Sequence, residues 1–224
     1  MQQAGLSDRV RVQVGDYHQL PFADQIFDVV ICIETVFHSY NPQQLFQEIY
    51  RVLRPGGKLY IREYFVIESP LSEQQQQDLE KFQQIAAGGQ FRRMSELTEI
   101  ASTAGFQELQ TSNMTGIIPS DSLRMAILST EFPNLPLFLG DIKAIKPTAS
   151  GQTSADSSQY QQTVADYYDH KAGVESELTG LTGSSNLFLA YRAGIQPGDY
   201  VLDVGCGVGQ AAVDIAQSLC RPSS

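Results

Sequence analysis

The sequence predicts an α/β protein built on a mostly parallel sheet, and three observations carry that expectation. The run Phe27 to Ile33 is apolar except for Asp28, as in strands buried on both faces of a parallel sheet. An amphipathic stretch and a second apolar run, Lys58 to Phe65, follow it at the spacing of a βαβ unit with a right-handed crossover. Near the other end, Val201 to Gln210 (Val-Leu-Asp-Val-Gly-Cys-Gly-Val-Gly-Gln) reads as a buried strand, a glycine-rich turn and the start of a helix. Such a turn ordinarily opens a nucleotide-binding α/β domain. Here only Ala211 to Ser224 follow it, and the rest of such a domain, from Gly15 onward, precedes it. The order points to a rearranged domain or to a piece cut across two domains.

Each element has its own signal. Val10, Val12 and Val14 alternate with polar residues, a short strand pattern closed by Gly15-Asp16. Leu20 to Asp24 is a loop broken by Pro21. Asn41-Pro42 supplies an N-cap and a proline at the first helical position. Leu45, Ile49, Val52 and Leu53 then form one apolar face, and Arg54-Pro55-Gly56-Gly57 stops the helix. Helices are expected over Ser72 to Ile85, whose glutamines at 74–77 form a solvated face, and over Ser95 to Ala104, with Leu97, Ile100 and Ala101 inward. Phe106 to Met114 is a strand, Ser120 to Ser129 a helix, and Leu137 to Ile145 a last short strand. Lys146 to Ser158 is small and polar and reads as the start and body of a linker. Beyond it, Tyr160 to Asp169 and Leu187 to Ala193 are helix candidates. Tyr200 to Val204 is a strand, and Ala211 to Leu219 is a helix with Ala212, Ile215, Ala216 and Leu219 on one side.

Composition narrows the function classes. With 224 residues, 42% hydrophobic and 18% charged, the chain can bury a full core. A net charge of −10 argues against a general nucleic-acid binder, which needs a basic footprint. Cys32, Cys206 and Cys220 have no metal-ligand spacing, so no metal site is expected, and Cys32 and Cys206 read as reduced buried thiols. No secretory leader and no run of membrane-spanning length is seen, which makes a cytoplasmic protein the default expectation.

The glycine turn carries the chemistry. Gly205, Gly207 and Gly209 permit positive φ and let backbone approach a ligand, and a helix N-terminus follows. A dinucleotide site would place a third glycine at position 210, where this chain has Gln210, and would not need Asp203 two residues before the first glycine. The pattern suits a nucleoside with an amino-acid tail better than a pyrophosphate.

These residues resemble the class I S-adenosylmethionine-dependent methyltransferases. Val201 to Gln210 is similar to the first motif of that family, and Gly15-Asp16-Tyr17-His18-Gln19-Leu20-Pro21-Phe22 to its adenine-side motif. Phe27 to Glu34 is similar to its fourth strand, and Glu48 to Leu59 to the helix, turn and fifth strand of its small-molecule members. The resemblance implies a Rossmann-like, doubly wound sheet in permuted order, lacking one strand-helix unit of about 20 to 30 residues that holds the ribose-binding acid. It makes residues 5–146 the C-terminal half of one methyltransferase domain, 147–158 a flexible linker and 159–224 the N-terminal half, the two halves forming one domain. S-adenosylmethionine is the implied cofactor. Asp203, Gly205, Gly207 and Gly209 would hold its methionyl end and ribose side, and Asp16 its adenine amino group with Tyr17 beside the ring. Ile33 would line the pocket near the methyl donor, and Tyr167 would touch the carboxylate from a covering helix.

The expected reaction is in-line methyl transfer to a small, lipid-like or natural-product acceptor. Glu34 and His38 lie just past a strand end, where α/β sheets place ligands. They are the candidates for a base toward an oxygen or nitrogen nucleophile, whereas a carbon nucleophile would instead want acids and aromatics to stabilise a cation. Asp28 reads as structural. Two other readings stay open: a non-catalytic binding protein or inactive fragment of a tandem enzyme, and a nicotinamide-dependent oxidoreductase, against which Gln210 and the missing ribose acid count. Two copies pairing through a strand edge would give a homodimer.

Overall fold

The computed structural model describes residues 9–117, 128–148, 181–207 and 209–219. Among these described residues, five strands form one sheet. In chain order the elements are β1 (Phe27–Ile33), a single 3-10 turn (Val36–His38), α1 (Pro42–Val52), β2 (Leu53–Val66), α2 (Glu73–Ile85) and α3 (Met94–Thr103). They continue with β3 (Gln107–Asn113), β4 (Leu137–Ile145), α4 (Leu181–Arg192), β5 (Val201–Val204) and α5 (Gln210–Leu219). Across the sheet the order is β3-β4-β2-β1-β5. β1 pairs in parallel with both β2 and β5, while β4 runs antiparallel to β2 and β3. One reversed strand in five makes the sheet mostly parallel, as expected.

The pleat sorts side chains to two faces. Val30, Cys32, Leu59 and Ile61 pack with Leu45, Phe46, Ile49 and Val52 of α1 and with Leu97, Ile100 and Ala101 of α3. Val29, Ile31 and Tyr60 on the other face pack with Leu189, Ala190 and Ile215 from α4 and α5. Helices therefore cover both faces of the central strands, which is why β1 reads as a continuous apolar run. The four inward residues of α1 are fully buried, each contributing about 1.5–3 kcal/mol of apolar transfer free energy. Asn41 caps α1 by accepting from the Gln44 amide, with Pro42 at the first helical position. Ser72 and Gln75 form a capping box at α2.

Several expectations are corrected. The alternating segment 10–15 has no ladder partner among the described residues. Only Val10 is buried, and Val14 is 98% exposed, because alternation makes a strand only where a neighbouring edge supplies the hydrogen bonds. β2 begins at Leu53, not Lys58. Phe27 pairs with Leu53 and Val29 with Lys58, so residues 54–57 are looped out as an irregularity within the strand. α4 starts at Leu181, before the expected Leu187. Lys146 is not a linker residue: it is buried, and its ammonium donates to the carbonyls of Tyr50 and Leu53. Cys206 is half-buried rather than buried. The expected linker from 149 and the helices at 160–169 and 120–127 lie outside the described residues.

Candidate functional site

The parallel strands β1 and β5 end side by side, with Cys32 opposite Val204. The chain leaves them through Glu34-Thr35 and through the glycine turn. Thr35 is buried and joins the two exits: its hydroxyl lies 3.0 Å from the carbonyl oxygens of both Ile33 and Val204. The turn is shaped to fit against it. Gly205 has φ +72°, and a Cβ there would stand 2.4 Å from the Thr35 methyl group, so only glycine is accommodated. On the other side, a Cβ at Gly209 would meet the Val12 side chain at 3.1 Å, three residues before Gly15-Asp16. Gly207 is exposed with φ +54°, and a Cβ there would meet no atom of the described residues within 4 Å. The late glycine turn and the early Asp16 segment thus border one end of one sheet.

Asp203 is the β5 residue two before Gly205. Burial alone pushes its carboxyl up to about 7, because few charges or donors replace the water it loses. Asp16 is the opposite case. It is exposed and accepts from the His18 amide, the His18 ring and the Tyr40 hydroxyl, each at 2.8 Å. These bonds hold it below the usual carboxylate range, the His18 amide most of all. Tyr17, half-buried, sits against the main core cluster.

The Asp16 loop is fixed by α1. Gln44 donates to the His18 carbonyl at 2.9 Å and the Leu20 amide donates to Glu48 at 2.8 Å. The Arg51 guanidinium reaches the Leu20 and Phe22 carbonyls, Asp24 and Glu48, and in turn holds the Glu48 carboxyl low. A polar hollow of about 610 Å³ beside this loop is lined by His18, Gln19, Asn41, Gln44, Gln47 and Glu48. No residue of the glycine turn borders it.

Ile33 and Glu34 stand at the C-terminal end of β1, both half-buried. Glu34 adopts φ +50°, a conformation that costs a non-glycine residue of order 1–3 kcal/mol and gathers at functional sites. Its amide donates to the Arg62 carbonyl at 2.8 Å, and its carboxylate lies 3.8 Å from the buried Arg62 guanidinium. His38 is exposed at the end of the 3-10 turn, its ring tilted against Phe37 with centroids 3.8 Å apart. Tyr167 lies outside the described residues. Asp28 is structural, as expected: it takes both oxygens' worth of contact from Arg54 and accepts from the Tyr200 amide.

Three residues escaped the sequence reading. Thr35 makes its decisive bond to a residue 169 positions away. His18 is buried between Asp16 and Ser39. Glu63, 2% exposed on β2, accepts from the Tyr64 and Phe37 amides. Its one signal was a carboxylate inside an apolar run. Among the described residues no cluster of histidine, cysteine or carboxylate side chains is placed to hold a metal ion. None of their helices is long and apolar enough to cross a membrane.

Residues 1–61 match the model of a methyltransferase domain family, and they contain the Asp16 loop, β1 and the turn into β2. Over that segment the chain is similar to methyltransferases. Among curated relatives, the family similarity extends to 24-methylenesterol C-methyltransferase 2 of Oryza sativa subsp. japonica, 34% identical over 110 residues, 48% of this chain and 30% of that protein. The chain spans about a third of the length of the curated relatives it matches. Among solved structures, geranyl diphosphate C-methyltransferase from Streptomyces coelicolor A3(2) has the same fold with a TM-score of 0.55 at 14% identity, covering 65% of this chain and 57% of that one. The [4+2]-cyclase SpnF has a TM-score of 0.51 at 20% identity, covering 66% and 60%. A cyclase among the fold neighbours means that function has to be argued from the site.

Proposed function

We propose that the chain is an S-adenosylmethionine-dependent enzyme that transfers a methyl group to a small, lipid-like acceptor. The observation that carries the reading is the seating of the glycine turn against Thr35 and Val12 at the exits of β5 and β1. The residues present fit such a cofactor. Gly205 is a cradle that any Cβ would fill, Gly207 is exposed with no described atom near a Cβ position, and Asp203 is a desolvated carboxyl two residues before Gly205. Asp203 with Gly205, Gly207 and Gly209 would hold the methionyl end and ribose side, Asp16 the adenine amino group, and Tyr17 the face of the ring. Ile33 would border the methyl donor, and Tyr167 would meet the carboxylate.

When bound, the sulfonium cofactor supplies a methyl group on an already activated leaving group. What remains for the protein is alignment and exclusion of water. Glu34, held by Arg62 in a strained conformation, is the group that would receive a proton from an oxygen or nitrogen nucleophile or stabilise a cation formed at carbon. His38 is the second candidate. A carbon nucleophile of apolar character is supported by the names of the sterol and geranyl diphosphate C-methyltransferases among the relatives and fold neighbours. It is also supported by the Phe37–Phe91 stack, 4.8 Å between rings, close after Glu34 in the chain. The reading places the enzyme in the cytoplasm with a diffusing acceptor. It allows a homodimer formed along the β5 edge, which sedimentation velocity at high concentration would reveal and a persistent monomer would refute.

Titration calorimetry with S-adenosylhomocysteine tests the core of the proposal. Saturable binding is expected, and none at millimolar ligand defeats it. Binding together with methyl transfer from labelled cofactor to a panel of prenyl and sterol acceptors completes the test. Binding with no turnover on that panel favours a non-catalytic protein on the same fold.

A further inference from the structure

Asp16, His18 and Ser39 form a continuous chain of hydrogen bonds. Asp16 Oδ1 lies 2.8 Å from His18 Nδ1, and His18 Nε2 lies 2.8 Å from Ser39 Oγ. The order of side chains is that of a hydrolytic triad, but Ser39 is 3% exposed, so its hydroxyl has no access to a substrate and cannot serve as a nucleophile. The arrangement instead fixes a carboxylate. An ionised Asp16 only accepts, so Nδ1 carries the ring proton and donates it, and Nε2 is left to accept from the Ser39 hydroxyl. The ring is buried (2% exposed) and packs at a tilt against Tyr40 at 3.7 Å and Tyr17 at 4.6 Å between centroids. Ser39 is itself held by its amide, which donates to the Val36 carbonyl at 2.9 Å.

The bonds at Asp16 can be counted. Oδ1 accepts twice, from the His18 amide and ring, and Oδ2 accepts once, from the Tyr40 hydroxyl. A carboxylate offers about four acceptor positions. Among the described residues one remains, on Oδ2, at an exposed carboxylate four residues after Val12, the side chain that faces Gly209 of the glycine turn. An acceptor in that place selects a ligand edge that donates, such as an exocyclic amino group, and disfavours one that presents a carbonyl, which would leave two acceptors facing each other.

We propose that His18 is a positioning residue that locks Asp16 through Nδ1, with Ser39 as its anchor, so that one acceptor position on Oδ2 is presented to discriminate an amino from a carbonyl substituent on the purine ring of the cofactor. The proposal rests on the cofactor reading above. Its test uses two substitutions that separate the two ring nitrogens. Asparagine places an amide N–H near the position of Nδ1, and glutamine places one near Nε2.

The full chain, H18N and H18Q are titrated with S-adenosylhomocysteine and with S-inosylhomocysteine, in which a carbonyl replaces the amino group. The wild type is expected to prefer the adenosyl compound by at least about tenfold, the usual effect of an unmatched hydrogen bond to a charged group. H18N keeps most of that preference. H18Q binds the two compounds within about threefold of each other. Equal behaviour of H18N and H18Q, whether both keep the preference or both lose it, overturns the proposal. Proton NMR of the wild type supplies a readout independent of both variants' folding and of ligand. A hydrogen-bonded Nδ1–H resonance far downfield, lost in D16N, is expected, and its absence overturns the relay. A wild type that shows the resonance but binds neither compound overturns the cofactor reading and, with it, the role assigned to His18.

Discussion

Single residues at the site make sharp demands. At Gly205 an added methyl group meets Thr35 at 2.4 Å, in a backbone conformation that alanine adopts poorly. Gly205→Ala is expected to lose about 1–3 kcal/mol of stability, measured by urea denaturation, and most of its affinity for S-adenosylhomocysteine. Asp203 makes a pH prediction. With its carboxyl near 7, it is largely protonated at pH 6 and ionised above 8. If it holds the cationic amino group of the methionyl tail, affinity rises as pH climbs from 6 to 7.5, since ligand and proton compete for the same carboxylate. Calorimetry across that range should show the rise in the wild type. Asp203→Asn should bind about tenfold more weakly with no such slope. An affinity that falls with pH in the wild type would remove Asp203 from that role. The place of Glu34 and His38 just past the C-terminal end of β1 was legible because they follow an apolar run. Thr35 was not, because its partner Val204 is far away in sequence and a threonine after a strand has no signal of its own.

At the level of elements, local chemistry was read well and pairing was read poorly. α1 declared itself through Asn41-Pro42 and the spacing of Leu45, Ile49 and Val52, since caps and periodicity act within a few residues. Asn41→Ala should cost about 1 kcal/mol and loosen the helix that also carries Gln44, Glu48 and Arg51, the anchors of the Asp16 loop. The segment 10–15 shows the converse. Its alternation was correct as a pattern, yet a ladder requires an edge that no local signal can guarantee. The same limit moved the start of β2 to Leu53: the proline and glycines at 55–57 stop the helix, as expected, but the strand absorbs them through a break in register with β1.

Glu63 ties β2 to the 3-10 turn through the Phe37 amide. Burial pushes its carboxyl from an ordinary 4.5 up to about 8. The folded chain therefore keeps a proton that the unfolded chain releases, and between those two values raising the pH favours unfolding. Asp203 acts in the same direction between 3.8 and about 7. Stability in urea should fall from pH 5 to pH 8, and the fall should be shallower in Glu63→Gln.

The whole molecule depends on residues remote in sequence meeting in one sheet. Arg192 of α4 reaches across to Asp141 of β4 with two nitrogens at 2.6–2.8 Å, and also to Ser112 of β3. Asp141 is fully buried. Arg192→Met should cost about 3 kcal/mol, because it leaves that charge enclosed without a partner. Adding Asp141→Leu should recover much of the loss, a coupling that a double-mutant cycle in urea measures directly. Additive losses would show that the ion pair does not join α4 to the sheet. The motifs on either side of this junction were each readable in the sequence. That they share one sheet end was an inference from resemblance, and the pairing of Val29–Cys32 with Val201–Val204 supplies it physically.

That pairing has a consequence for biosynthesis. β1 leaves the ribosome before β5, whose ladder closes its second edge, and the Thr35–Val204 bond beside that ladder spans 169 residues. At about 5–20 residues per second, roughly ten to thirty seconds pass before that edge can close. During that interval a strand rich in valine and isoleucine waits with one side open, and nascent chains crowded on one message have time to find each other before they find themselves.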